Sequence, residues 1–388
     1  MSSPISPVGR QAMLLCVGNG GFCRKADGLY EDAQTVCFLV ELAQMTGGLT
    51  ACQPVVDYRN GECFCEQNLT GQPHLRLVGL ELWRSSRVLK SVSYLCAVPR
   101  LAREINRTDW VYLFMPGNVS LLCGLLAVAL RKPFGVYLRG ELIIAPPLTR
   151  LVMSRTRFVL ASSPHLCERA RKSCGDVELV TPMLDLAVED IVGCRAQRKS
   201  GPWNILFVGR VESRKGILEL VKAAELLRAK GVDFVLNLAG GGPELGQHQR
   251  SLPGGLANRV QFLGAVADRH ALRELYLKAD VFVFPSHDEG FPRVLYEAMA
   301  FGAPIITTFV GGISSVMSDG VNCLRIDVGH AEQIASRTLE LINDADLRAR
   351  ISKEASRSLQ KLMAGWSRSH AQQVSGKVMA NRTLPASL

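Results

Sequence analysis

Apolar residues in this chain gather into short, nearly unbroken runs, and the segments between them repeat at helical spacing. Two passages begin alike. Residues 12–18 (AMLLCVG) run into the glycine-rich turn 19–21, and residues 204–209 (NILFVG) run into a polar turn before the helical stretch 217–227. Each pattern predicts a buried strand, a turn and an amphipathic helix, the opening of a βαβ unit. Further buried strands are predicted at 110–115, 134–138 and 158–161 in the first half, and at 234–238, 260–263, 281–284 and 303–307 in the second. Continuous apolar strands alternating with helices imply parallel sheets covered on both faces. Residues 189–202 are polar and lack periodicity, so the interdomain linker is expected there. The tail from 345 to 380 has helical spacing, with Leu347, Ile351, Leu359, Leu362 and Met363 at its apolar positions. The expected organisation is an N-terminal Rossmann-like domain over 1–188, a C-terminal one over 203–365, and a tail of 366–388 that packs back on the N-terminal domain.

Length and composition sharpen this picture. A chain of 388 residues exceeds what one core usually organises, and 47% hydrophobic with 21% charged residues is a globular balance. The longest apolar run, 119–130, is broken by Ser120 and Gly124 and falls well short of the roughly 20 residues needed to span a bilayer. It predicts a buried helix. The first ten residues lack a basic segment followed by an apolar one, so no secretory signal is read and a cytoplasmic location is expected. In that reducing setting most of the twelve cysteines are expected as buried free thiols, and neither Cys63/Cys65 nor Cys167/Cys174 has paired zinc spacing. No bound metal or cofactor is expected.

Net charge is +10, from 45 Lys and Arg against 35 Asp and Glu, with no basic tail. This favours an anionic partner without choosing between phosphate-bearing small molecules, a membrane face and nucleic acid. Residues 82–107 concentrate the positive charge: Arg84, Arg87, Lys90, Arg100, Arg103 and Arg107 stand against Glu104, with Trp83, Val88, Leu89, Val92 and Leu95 interleaved. Such a segment is either a basic amphipathic surface for anionic lipid or a core-packing helix with a solvated basic face.

Two constellations carry candidate chemistry. Gly209-Arg210 ends a strand and Lys215-Gly216 follows, so a guanidinium and an ammonium either converge on a diphosphate or sit as ordinary cations on a solvated turn. The stretch 286–300 (SHDEGFPRVLYEAMA) follows the strand at 281–284, and Pro292 suits the first turn of a helix. Free N–H groups around Arg293 and Val294 then face the ligand crevice, where Glu289 and Glu297 either bind hydroxyls of a polyhydroxy ligand or serve as a cap and an exposed helix residue.

Phe207-Val-Gly-Arg210 with Lys215-Gly216, the stretch 239–244 (AGGGPE), Phe262-Leu-Gly264, Pro285-Ser286, Glu289-Gly-Phe-Pro292, 296–300 (YEAMA), Gly302, Pro304 and Val310-Gly-Gly-Ile313 together resemble glycosyltransferase family 4 in order and spacing. The resemblance implies a GT-B fold, two Rossmann-like domains facing across a cleft. It implies retaining transfer of a sugar from a UDP- or GDP-sugar to a glycan or lipid-linked acceptor, as in bacterial cell-surface polysaccharide synthesis, without metal. By the same resemblance Arg210 and Lys215 stabilise the departing diphosphate, Glu289 holds a donor-sugar hydroxyl and Glu297 holds the ribose. Gly209, Gly241, Gly290, Phe291, Pro292, Arg293 and Val294 line the donor, and Gly18, Gly20, Gly21 and Arg139 belong to the N-terminal side of the cleft. The partners expected are therefore a nucleotide sugar, a glycan or lipid-linked acceptor and an anionic membrane surface, with no nucleic acid. The chain departs from the family where Pro-Glu is replaced by Ser314-Ser315, and where Arg139 stands near the place of a common histidine. Those departures keep a catalytically idle sugar-nucleotide-binding subunit as an alternative, beside another GT-B activity such as an epimerase or a phosphorylase. A dinucleotide oxidoreductase is set aside because neither half carries Gly-x-Gly-x-x-Gly followed by an acidic residue about 20 positions on.

Overall fold

The computed structural model describes residues 13–18, 20–57, 67–82, 87–140, 146–192 and 201–381. They divide into two compact units: one gathers the chain up to Met183 with the tail from Arg368, the other runs Leu184–Ser367. The boundary falls before residue 188 because Leu184, Leu186 and Ile191 pack on the core of the second unit. Much of the expected linker, residues 193–200, lies outside the described residues.

The first unit holds strands β1 (Leu14–Val17), β2 (Phe22–Lys25), β3 (Gly28–Glu31), β4 (Leu49–Asp57), β5 (Gln67–Asn68), β6 (Leu75–Leu80), β7 (Trp110–Met115), β8 (Phe134–Leu138), β9 (Phe158–Ala161) and β10 (Val177–Leu179). Its helices are α1 (Ala33–Thr46), α2 (Arg87–Arg107), α3 (Asn118–Ala129), α4 (Pro146–Arg155) and α5 (Pro164–Arg171). The parallel part of the sheet runs β6-β4-β1-β7-β8-β9-β10, so the chain winds outward from β1 in both directions. Side chains of β7, β8 and β9 are buried throughout, as a sheet covered on both faces requires. The expected helix directly after the glycine turn is corrected here. The antiparallel hairpin β2–β3 intervenes, its first strand extending β4, before α1 begins at the Asp32 cap, whose carboxylate accepts from Thr35 N at 3.0 Å. The 119–130 run is the buried helix α3. Cys16, Cys52, Cys123, Cys167, Cys174 and Cys323 are buried free thiols, but Cys23 is disulfide-bonded.

The second unit holds β11 (Trp203–Val208), β12 (Phe234–Ala239), β13 (Val260–Gly264), β14 (Val281–Phe284), β15 (Ile305–Thr308) and β16 (Leu324–Ile326). Its helices are α6 (Ile217–Ala229), α7 (Leu245–Arg250), α8 (Arg269–Lys278), α9 (Arg293–Ala300), α10 (Ala331–Asn343) and α11 (Ala345–Ala364). All six strands are parallel in the order β13-β12-β11-β14-β15-β16. This is a doubly wound sheet whose direction of winding reverses between β11 and β14, and in such sheets the ligand crevice lies beyond the carboxyl ends of those two strands. The helical tail splits in two: α11 closes the second unit, and α12 (His370–Ala380) packs on α1 of the first. The α12 contact is polar as well as apolar. His370 Nε2 meets the Tyr112 hydroxyl at 2.7 Å inside a cage of Phe38, Phe114 and Tyr137, and Ser369 Oγ donates to Glu41 at 2.6 Å.

Candidate functional site

Each of the two loops at the β11/β14 reversal brings charged groups to the same edge of the sheet. After β11 the chain passes Gly209 and Arg210, makes a single 3₁₀ turn at Ser213–Lys215, and enters α6 through Gly216. Gly216 has φ +78°, and a Cβ there would stand 2.4 Å from the Pro285 carbonyl oxygen. Only glycine lets the Lys215 turn lie this close to the loop after β14. Neighbouring backbone pairs fix the same turn: Val211 N donates to Gly241 O at 2.8 Å, and Ser213 N donates to Glu244 at 2.8 Å.

The loop after β14 supplies Ser286, His287, Glu289 and Gly290. Lys215 Nζ forms an ion pair with Glu289 Oε1, and Ser286 Oγ donates to the same oxygen at 2.8 Å. Both charged side chains are nearly closed off from solvent, Lys215 13% and Glu289 12% exposed, so their attraction is screened far less than that of a surface pair. The roles expected separately for these residues meet in one hydrogen-bonded group. Arg210, by contrast, is exposed and forms no ion pair among the described residues. His287 extends the contact outward: its N–H donates to Arg214 O at 2.9 Å and its Nε2 lies 3.2 Å from Glu219 on α6. Glycine is again required opposite, where Gly311 has φ +54° and its Cβ would overlap Glu289 O at 1.7 Å. Gly312 N then donates to Gly290 O at 2.6 Å.

Pro292 is the N-cap of α9 rather than its first helical residue, with φ −77° and ψ 128°. Arg293 and Val294 make the first turn of the helix, the end at which its dipole is positive. Phe291 packs at a tilt against Tyr296 with ring centres 4.4 Å apart and holds the loop against the helix. Glu297 lies more than a turn along and is recessed: its Oε2 accepts from the Tyr276 hydroxyl at 2.8 Å. Burial pushes the Glu297 carboxyl up, while the Tyr276 hydrogen bond and the Arg293 guanidinium pull it back towards the ionised form. At the position of the missing family glutamate, Ser315 Oγ donates to Gly312 O at 2.6 Å, closing its own turn.

In the first unit, Gly18, Gly20 and Gly21 follow β1, the strand from which that sheet also winds both ways. Gly18 lies over Gln53, Gly20 over Gln53 and Glu31, and Gly21 against Val56 and the Pro54 carbonyl. Arg139 follows β8; its N–H donates to Met115 O at 2.8 Å, and its exposed guanidinium lies within 6 Å of the Phe114 and Tyr137 ring centres. Sequence reasoning missed Tyr276 and the Glu219–His287 pair. Tyr276 carries no local signal, since it reaches Glu297 from a different helix 21 positions earlier.

With this geometry in place, the chain can be set beside known proteins. A sequence profile described as Glycosyl transferases group 1 matches residues 195–358. These residues form a group 1 glycosyltransferase domain. Relatives include D-inositol 3-phosphate glycosyltransferase of Pseudarthrobacter chlorophenolicus, 30% identical over 235 residues that cover 57% of this chain and 55% of the relative. The enzyme of the same name from Xylanimonas cellulosilytica is 34% identical over 185 residues, covering 47% and 43%. The chain spans about half the length of the curated relatives it matches. Likeness of fold extends beyond the group 1 domain. Anabaena Alr3699/HepE in complex with UDP-glucose superposes with TM-score 0.66 at 16% identity over 95% of this chain and 100% of that one. Sucrose-phosphate synthase from Thermosynechococcus elongatus superposes with TM-score 0.70 at 17% identity over 96% and 99%. The fold is GT-B, with the group 1 domain as its second α/β unit.

Proposed function

We propose that the chain is a retaining glycosyltransferase that moves a sugar from a nucleotide diphosphate to a glycan or lipid-linked acceptor of bacterial cell-surface polysaccharide synthesis. The observation that carries this reading is the nearly closed-off Lys215–Glu289 pair, with Ser286 on the same carboxylate oxygen, at the reversal point of the group 1 domain's sheet, where the loop carrying Arg210 leaves β11 and α9 follows β14. A diphosphate bound there would meet the cations of Lys215 and Arg210 at the start of α9, and transferred-sugar hydroxyls would meet a carboxylate. As the glycosidic bond breaks, negative charge grows on the leaving diphosphate. Fixed cations in a recessed site stabilise that charge without having to reorganise. Structures titled as complexes with UDP and UDP-glucose among the fold's neighbours support UDP as the first nucleotide to test.

The experiment is product formation from radiolabelled UDP- and GDP-sugars, preceded by a thermal-shift screen with UDP and GDP. A ligand at 100 times its dissociation constant stabilises the fold by about 2.7 kcal/mol. In the purified, folded variants Arg210→Ala and Lys215→Ala, turnover is expected to fall roughly 100-fold or more, the usual cost of removing one preorganised charge partner. Wild-type-like turnover in either variant removes that residue from the leaving-group site. Nucleotide binding without any sugar transfer points instead to an idle sugar-nucleotide-binding subunit.

We also propose that the first unit contacts anionic membrane through α2 and α4, which both flank α3. Leu89, Val92 and Leu95 on α2 are exposed, Leu95 at 71%, as are Leu148 and Leu151 on α4. Arg100, Arg103, Arg150 and Arg155 are exposed on the same two helices. Apolar side chains interleaved with arginines suit a lipid–water boundary carrying negative charge.

A further inference from the structure

Tyr276 lies on α8 and is fully buried, its ring packed against Phe282 and Phe301 at centre distances of 5.5 and 5.7 Å. A buried phenol needs an acceptor for its proton, and an apolar residue of the same shape would fill the ring's place without that need. Here the hydroxyl lies 2.8 Å from Glu297 Oε2 and 3.4 Å from Val294 O. Its single proton serves the nearer, charged oxygen, where a hydrogen bond is strongest. The bond occupies one carboxylate oxygen and fixes the rotation of the group, which leaves Oε1 as the oxygen available to a ligand. Burial disfavours the charged carboxylate, and the Tyr276 hydrogen bond is the largest influence opposing it.

We propose that Tyr276 is a positioning residue for nucleotide recognition: by holding Glu297 Oε2 it presents Oε1 in one orientation to the hydroxyls of a ribose. The inference rests on the reading of the group 1 domain as a nucleotide-sugar site, with Glu297 at the ribose. Its consequence is selectivity. A carboxylate oxygen held in place distinguishes a ribose from its 2′-deoxy counterpart, whereas one free to rotate distinguishes them poorly.

The test is calorimetry on the full chain with UDP, GDP and their 2′-deoxy forms, for wild type, Tyr276→Phe, Glu297→Gln and the double variant. Tyr276→Phe removes one oxygen and keeps the ring, and an unchanged melting temperature in the absence of nucleotide confirms the packing. It is expected to weaken the ribonucleotide about 10-fold, the order of a lost hydrogen bond to a charged group, and to shrink the ribose-over-deoxyribose preference towards unity. Turnover at saturating donor should change little, placing the effect in KM rather than kcat. The double variant should be no worse than Glu297→Gln alone, because both changes act through one carboxylate. Equal weakening of ribo- and deoxyribonucleotide by Tyr276→Phe, or full retention of the wild-type preference, overturns the assignment. Failure of wild type to bind either nucleotide refutes the nucleotide-sugar reading itself, a result separate from any behaviour of Tyr276.

Discussion

Glu31 shows how one side chain in the first unit couples packing to pH. It is 6% exposed; Oε1 accepts from Asp32 N at 3.2 Å, and Oε2 has no hydrogen-bond partner among the described residues. Gln53 Oε1, equally orphaned, lies beside it beneath the glycine turn: a Cβ on Gly20 would stand 3.1 Å from that oxygen and 3.7 Å from each oxygen of Glu31. Burial, with the neighbouring Asp32 charge, pushes the Glu31 carboxyl up to about 8. An acid whose folded value lies above its unfolded one binds more protons folded than unfolded between the two, so stability falls as pH rises from about 4.5 to about 8. Glu31→Gln removes the titration and supplies an amide donor next to Gln53. The variant should melt at a temperature close to wild type at pH 5 and higher than wild type at pH 8 to 9, by on the order of 2–4 kcal/mol in stability. Calorimetric melts across that range check it, and a gain that is the same at pH 5 and pH 9 contradicts it. Nothing in the sequence marks Glu31, because its environment is made by a turn and a strand end that only the folded sheet brings together.

Among the elements, α2 and α9 illustrate opposite degrees of legibility. The Glu289-Gly-Phe-Pro292 pattern announces a loop entering a helix, and α9 begins at the next residue because proline's fixed φ suits the cap and its lack of N–H costs nothing there. For α2, periodicity alone left open whether the apolar residues face a core or a membrane. The fold divides them: Leu101 and Ile105 are fully buried in the first unit's core, while Leu89, Val92 and Leu95 point outward. The membrane proposal therefore belongs to the N-terminal half of this helix. In flotation assays the full chain should associate with vesicles containing phosphatidylglycerol and not with pure phosphatidylcholine, less so as salt rises. Leu95→Glu should abolish the association while nucleotide binding stays at the wild-type level, since the helix lies in the other unit. Flotation of Leu95→Glu equal to wild type, or equal binding to neutral vesicles, contradicts the proposal.

For the molecule as a whole, the proposed mechanism predicts that sugar transfer persists in excess EDTA. In that mechanism Arg210, Lys215 and the α9 N-terminus would meet the diphosphate and supply the positive potential that a cation provides in metal-dependent transfer. Complete loss of product in EDTA, restored by magnesium or manganese, would overturn it. Apolar runs and their helical spacers established two parallel α/β units and placed the glycines, cations and carboxylates of the second at strand ends, because strand burial and turn chemistry are local properties that a linear pattern records. The order and spacing of those motifs also made the group 1 resemblance legible. Three things were decided only by the tertiary structure. The hairpin β2–β3 displaced the expected first helix, since its pairing with β4 and β5 is non-local. The contacts that seat the tail appeared there too, α12 being held on the first unit by the buried His370–Tyr112 contact across 258 positions. And the carboxylates acquired partners, Glu289 from Lys215 and Ser286, and Glu297 from Tyr276. Hydrogen bonds between residues brought together by the sheet depend on distances that no spacing along the chain encodes.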